Sequence, residues 1–130
     1  MRVDIRCFGF GGEYFGKYRT EHRIPFLKDF IDSNLSDTDV FVFQEIMNPL
    51  ILDKVLPEGF KTYTYDHSYS RHMFITLACK KELDINNFQT IPGVALDNER
   101  SRPAIYGQLN FKDQPILDLI GVHLKSKHDH

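Results

Sequence analysis

Two side chains with catalytic chemistry follow apolar, strand-like runs in this chain. Glu45 comes after Val40–Phe43 and Gln44, and His123 comes after the largely apolar run Ile116–Val122. A carboxylate is the hard oxygen ligand that Mg²⁺ binds while it keeps several of its waters. An imidazole with an ordinary pKa of about 6.5 can transfer a proton or donate a hydrogen bond to a phosphate. Together the two residues predict a metal-assisted hydrolase.

Each candidate also has a purely structural interpretation. Glu45 can be a capping or solvated carboxylate at a strand end, and His123 can be a hydrogen-bonded core histidine. Arg102, which precedes a predicted strand, can clamp a phosphate or lie in solvent as a loop arginine. The fully apolar run Val40–Phe43 favours the functional interpretation of Glu45. Such a strand is covered on both faces, and ligands of α/β proteins bind beyond the carboxyl ends of such strands.

The hydrophobic pattern predicts an α/β order of elements: a strand, a helix, a strand, a second helix and then several strands. Thr20 is the predicted N-cap of the first helix, and Pro25 is tolerated only near its first turn. Asp113–Pro115 is predicted to connect the last two strands as a hairpin. The predicted helices cover 21–34 and 48–56, and the predicted strands cover 3–10, 40–43, 60–65, 73–79, 88–94, 104–111 and 116–126.

Length and charge narrow the class of protein. A chain of 130 residues predicts a single domain. The formal net charge is −2, so there is no overall positive field of the kind that holds a long nucleic acid by counterion release. A phosphate-bearing substrate stays compatible with this charge, because local cationic groups and a bound metal ion can attract it.

Cysteine content and hydropathy bear on compartment and membrane contact. Cys7 and Cys79 are too few for a disulfide framework, and both lie in apolar runs, which predicts two buried thiols. No stretch approaches the ~20 apolar residues of a membrane-spanning helix, so no membrane partner is predicted. The charged residues Arg2, Asp4 and Arg6 interrupt any N-terminal signal peptide. This favours a cytoplasmic location, while an exported protein that has lost its signal peptide stays open.

Three segments resemble the endonuclease/exonuclease/phosphatase (DNase I-like) superfamily. They are DTDVFVFQEI (Asp37–Ile46), RPAIYGQLNF (Arg102–Phe111) and LDLIGVHLKS (Leu117–Ser126). The similarity covers nearly the whole chain, and the segments occur in the order of that family. The resemblance implies a partial four-layer α/β sandwich of the DNase I-like type, with a mostly antiparallel or mixed sheet flanked by helices. It also implies a phosphoesterase that uses Mg²⁺ or Mn²⁺, with nuclease-like phosphodiester hydrolysis as the leading activity.

Carried over to this sequence, the resemblance assigns Glu45 to the metal, His123 to the scissile phosphate and Arg102 to substrate orientation. The sequence departs from the family at the end of the first strand, where Cys7–Phe10 lacks the expected Asn. The family domain is roughly twice as long as this chain, so residues 1–130 are expected to form a single, incomplete domain. The general base is expected from the other half.

An incomplete sandwich is expected to leave Val40–Phe43 uncovered on one face and to favour self-association, or pairing with the missing half, through that face. A second hypothesis from another class is a non-catalytic half-domain that acts as a binding or interaction module. The sequence leaves the phosphate-ester substrate open, with nucleic acid among the candidates.

Overall fold

The computed structural model of the chain describes residues 2–9, 17–46, 49–65, 74–91 and 104–121. These residues form seven strands, two α-helices and one 3₁₀ turn. In chain order they are β1 (Ile5–Gly9), α1 (Lys17–Asn34), β2 (Val40–Ile46), the 3₁₀ turn (Pro49–Ile51), α2 (Leu52–Val55), β3 (Lys61–Tyr65), β4 (Phe74–Cys79), β5 (Leu83–Ile91), β6 (Ala104–Phe111) and β7 (Gln114–Gly121).

The strands form two sheets. One has the order β1-β2-β4-β3, and the other has the order β5-β6-β7. Only the β1–β2 pair is parallel among the described strands, so the first sheet is mixed and the second is antiparallel. The two sheets enclose one hydrophobic core, and the helices pack on the other face of the first sheet. The predicted α/β class, with a mixed sheet flanked by helices, is confirmed.

Strand β2 is covered on both faces, as its unbroken apolar pattern predicts. Val40 and Val42 belong to the core between the sheets, whereas Phe41 and Phe43 belong to the core beneath the helices. Their exposed fractions are between 0% and 8%. The expectation that Val40–Phe43 would be uncovered on one face is therefore wrong. The chain folds back after β4, and the β5-β6-β7 sheet supplies the missing cover, so β2 offers no open face for self-association.

Helix α1 is longer than predicted. It begins at Lys17, so Thr20 lies inside the helix and is not its N-cap, and Pro25 is also inside it. Ile24 and Leu27 pack against the helix-side core, in which Ile31 is fully buried. Helix stability in proteins comes mainly from such burial of an apolar face, which outweighs unfavourable local residues.

Several other elements differ from the prediction in extent. The predicted second helix is a 3₁₀ turn followed by the four residues Leu52–Val55. Strand β5 begins at Leu83, five residues before its predicted start. The β6–β7 hairpin is confirmed, but its turn lies at Lys112 and Asp113, whose φ angles are 51° and 63°. Two positive φ angles are typical of the type I′ turn that matches the twist of a two-residue hairpin.

The two cysteines have different environments. Cys79 is buried, as predicted, and burial raises the pKa of its thiol to about 11. Cys7 is exposed, so the prediction of a buried thiol there is wrong. The reason is its place in β1, which pairs with β2 alone among the described strands and forms an edge of the sheet. The raised pKa makes the buried Cys79 thiol a weak nucleophile, so we assign Cys79 a structural role.

Asp39 joins three segments at the start of β2. Its carboxylate accepts a hydrogen bond of 2.9 Å from the backbone N–H of Asp4 and forms an ion pair with Lys80. Its own backbone N–H donates to the carbonyl of Asp4, and its carbonyl accepts from the N–H of Lys80. Burial alone would raise the pKa of Asp39, but the bonds from Lys80 and Asp4 lower it below its ordinary value.

Asp39→Asn is expected to lower the free energy of unfolding at pH 7 by about 1.5–3 kcal/mol, because it removes the negative charge and replaces one of the two acceptor oxygens with a donor NH₂ group. The folded-state pKa of Asp39 lies below the unfolded value, so its contribution is present above about pH 4 and is lost as the pH falls further. Urea unfolding at pH 7 and at pH 3 measures both effects. The exposed Asp29→Asn is the control, and equal losses for the two variants at pH 7 would contradict the assignment.

Candidate active site

A β-bulge lies at the position of Glu45. The pairing of β2 with β4 shifts between Phe43 and Ile46, so that Gln44 and Glu45 together lie opposite a single residue of β4. Bulges re-aim side chains and are over-represented next to active sites. Glu45 therefore lies at a bulge near the end of the buried strand β2.

The neighbouring strand β1 ends beside this bulge without an oxygen ligand. β1 and β2 are parallel, and Gly9 is the partner of Gln44. A Cβ atom added to Gly9 would have no atom of the described residues within 4 Å. The end of β1, as described through Gly9, therefore brings no carboxylate or amide side chain to Glu45.

Strands β3 and β5, which belong to different sheets, run in the same direction. The Lys61 ammonium donates a hydrogen bond of 2.8 Å to the carbonyl of Leu83, and the N–H of Ile85 donates one of 3.3 Å to the hydroxyl of Tyr63. The rings of Tyr63 and Phe88 are 6.2 Å apart. Later residues of β3 contact later residues of β5, so the two strands run in the same direction. Both β2 and β3 run antiparallel to β4, so β5 ends at the same edge of the sandwich as β2.

The other two strands of the second sheet also meet this edge, which we call the Glu45 edge. Ala104, which begins β6, pairs with Ile91 at the end of β5, and Gly121, which ends β7, pairs with Ile105. The predicted site residue Arg102 lies two positions before Ala104 in the sequence, and the predicted site residue His123 lies two positions after Gly121.

The predicted site residues are described to different extents. Glu45 lies within β2, which extends to Ile46, three residues beyond the predicted strand 40–43, and the backbone alone of Glu45 is described. Arg102 and His123 lie outside the described residues, so their roles stay predictions. The fold brings together the end of β2, the start of β6 and the end of β7, which are the strand ends nearest in sequence to Glu45, Arg102 and His123.

The described residues offer few ligands to a metal ion. In the described part of the chain, no group of three or more His, Cys, Asp or Glu side chains is placed so that it could hold a metal ion. Mg²⁺ is commonly held by one or two protein carboxylates together with waters and substrate phosphates. Glu45 fits as one such ligand, and the described residues do not complete the site.

The sequence does not predict the hydrogen-bonded pair of titratable side chains formed by Tyr106 and Asp118. The Tyr106 hydroxyl donates a hydrogen bond of 2.6 Å to the carboxylate of Asp118 on the exposed face of the second sheet. This hydrogen bond raises the pKa of Tyr106 above its ordinary value. The pairing depends on the β6–β7 register, which places Tyr106 and Asp118 on adjacent strands. Tyr106 lies opposite Ile120, next to the residue that ends β7, and Asp118 lies opposite Gln108.

Comparisons with known proteins identify the fold. No protein-family model matches the chain, and no curated protein matches it by sequence. Solved structures do match. TDP2 from Caenorhabditis elegans has a TM-score of 0.73 and 15% identity over 98% of this chain and 37% of that chain. D. rerio TDP2 complexed with a single-strand DNA product has a TM-score of 0.69 and 16% identity over 98% of this chain and 48% of that chain.

A third structure carries the family name. The endonuclease/exonuclease/phosphatase family protein from Bacteroides thetaiotaomicron has a TM-score of 0.57 and 13% identity, over 91% of this chain and 48% of that chain. The chain therefore has the DNase I-like fold of the endonuclease/exonuclease/phosphatase proteins. It spans less than half of the length of these three structures. No described helix is both long and apolar enough to cross a membrane.

Proposed function

We propose that this chain is part of a metal-dependent phosphoesterase that hydrolyses phosphodiesters in the manner of a nuclease. One observation carries the proposal: Glu45 lies at a bulge near the end of the buried strand β2, at the edge where β6 begins and β7 ends. Fold likeness to endonuclease/exonuclease/phosphatase proteins supports the same reaction class.

The proposed roles follow the chemistry of each side chain. Glu45 holds Mg²⁺ or Mn²⁺ through its carboxylate. When bound, such an ion polarises a phosphoryl oxygen and stabilises charge on the leaving oxygen. Arg102 orients the substrate through paired hydrogen bonds to phosphate oxygens, and His123 donates a hydrogen bond or a proton at the scissile phosphate.

The extent of the domain is part of the proposal. We propose that residues 1–130 belong to one domain that further polypeptide completes, since the chain spans 37% to 48% of the three structures described above. That polypeptide would supply the remaining metal ligands and the general base.

Nucleic acid is the substrate class that we favour. The DNA product bound to D. rerio TDP2 supports this choice by likeness of fold. The net charge of −2 argues against a grip on long duplex DNA by counterion release. A strand end or a short single strand, held through one or two phosphates at the Glu45 edge, suits this charge better.

Hydrolysis by the intact protein that contains this chain tests the proposal. Bis(p-nitrophenyl) phosphate and a labelled single-stranded oligonucleotide are incubated with Mg²⁺, with Mn²⁺ or with a chelator. We expect turnover of at least one substrate with either metal and none with the chelator. Absence of metal-dependent turnover of both substrates would contradict the proposal.

A binding or interaction module is the second candidate. The observation that favours it is the end of β1, where Gly9 stands beside Gln44 and offers no ligand to a metal ion. Under this alternative the same oligonucleotide binds to the protein and is recovered uncleaved after prolonged incubation with Mg²⁺. Binding measured by fluorescence anisotropy, alongside the turnover assay, separates the two candidates.

A further inference from the structure

Gly121, the last residue of β7, occupies a position where a methyl group does not fit. A Cβ atom at Gly121 would lie 2.9 Å from Cγ1 and 3.2 Å from Cδ1 of Ile105, its cross-strand partner. Non-bonded carbon atoms are normally about 3.5–4.0 Å apart. The side chain of Ile105 therefore lies over the glycine, and the close approach of β7 to β6 at this point requires the absence of a side chain.

The surroundings of this pair determine which strand would move. Ile105 has no exposed surface and lies in β6, the middle strand of its sheet, where it also pairs with Thr90 of β5. β7 pairs with β6 alone among the described strands. A side chain at position 121 would therefore displace the end of β7 rather than Ile105, because a close-packed core resists movement.

We propose that Gly121 is a positioning residue for His123. This inference rests on the proposed function and deepens it: the glycine fixes where the chain leaves β7, two residues before the imidazole. Catalytic groups must be held within about 0.5 Å of their working geometry. A displacement of about 1 Å can lower a rate by about 100-fold.

Gly107 offers a matched control in the same sheet. A Cβ atom there would lie 2.6 Å from Cγ2 of Ile85 and 3.3 Å from Cδ1 of Leu77, so Gly107→Ala is also crowded. Gly107 lies in the middle of β6, opposite Leu119. Its substitution disturbs the core between the sheets and leaves the end of β7 in place.

Nuclear magnetic resonance of the histidine rings in the intact protein that contains this chain tests the inference without any need for activity. In Gly121→Ala we expect the ring resonances of His123 to shift while those of His22 do not. In Gly107→Ala we expect lower stability with unchanged His123 resonances. The double variant Gly121→Ala, Ile105→Ala removes both crowding atoms, and we expect it to return the His123 resonances towards their wild-type positions.

Steady-state kinetics of the intact protein supplies the second readout. Gly121→Ala is expected to lower kcat by about 10- to 100-fold with KM within about twofold, and the double variant is expected to recover part of the loss.

Unchanged His123 resonances in Gly121→Ala, or equal shifts in Gly107→Ala, would overturn the inference. If the wild-type protein hydrolyses nothing, the proposed function fails, and the resonances still decide the role of Gly121. If Gly121→Ala does not fold, the double variant takes its place, and His123 resonances far from wild-type positions in it overturn the inference.

Discussion

Glu45→Gln is expected to lower kcat for metal-dependent phosphodiester hydrolysis by about 10³-fold in the intact protein. Glutamine keeps the shape of the side chain but removes the negative charge that, under the proposed function, holds a divalent cation. The backbone pairing of β2 does not depend on that charge, so the melting temperature should change by no more than a few degrees. The concentration of Mg²⁺ that gives half-maximal activity should rise, which a metal titration of the residual rate measures.

Glu58→Gln is the matched control. Glu58 is exposed in the turn after α2, and the same change of charge there should leave both kcat and the metal dependence unaltered. If Glu45→Gln retained most of its activity with an unaltered Mg²⁺ titration, Glu45 would not be a metal ligand. The assignment of the Glu45 edge as an active site would then be wrong.

Phe41→Ala is expected to lower the free energy of unfolding by about 3–5 kcal/mol. Phe41 has no exposed surface and lies at the centre of an aromatic cluster beneath the helices. Its ring centroid is 5.6 Å from that of Phe43, with nearly parallel planes, and 5.6 Å from that of Phe60. Phe8 is 6.1 Å away. Truncation removes these contacts and leaves a cavity that three neighbouring rings cannot close.

Phe26→Ala tests whether burial is the cause. Phe26 lies on α1 with 76% of its surface exposed, so the same truncation there should change stability by less than about 0.5 kcal/mol. Urea unfolding of both variants, with comparison of midpoints at an unchanged m-value, gives the difference. Similar losses for Phe26→Ala and Phe41→Ala would contradict this account of the helix-side core.

The sequence predicts which strand is buried better than it predicts which elements pack against that strand. The unbroken apolar run Val40–Phe43 predicts a strand buried on both faces, and this is what the fold contains. What covers the second face depends on how the chain returns after β4, and residue periodicity does not encode that return. The same limit explains Cys7: an apolar neighbourhood does not reveal that β1 is an edge strand.

Turns and strand ends depend on geometry that residue types specify weakly. Lys112 and Asp113 form the β6–β7 turn at positive φ although neither is glycine, so the predicted turn at Asp113–Pro115 lies slightly too late in the chain. The candidate position of Glu45 follows from the polar pair after an apolar run. The bulge at that pair does not, because it exists only through the register with β4. Likewise, the crowding between Gly121 and Ile105 appears only once the strands are paired.

The most direct test of the central claim is an anomalous diffraction map from crystals of the intact protein soaked in Mn²⁺. We predict a peak with a Glu45 carboxylate oxygen at about 2.1–2.2 Å, at the edge where β2 and β7 end. Mn²⁺ bound elsewhere in the protein, with no Glu45 oxygen in its coordination sphere, would contradict the claim.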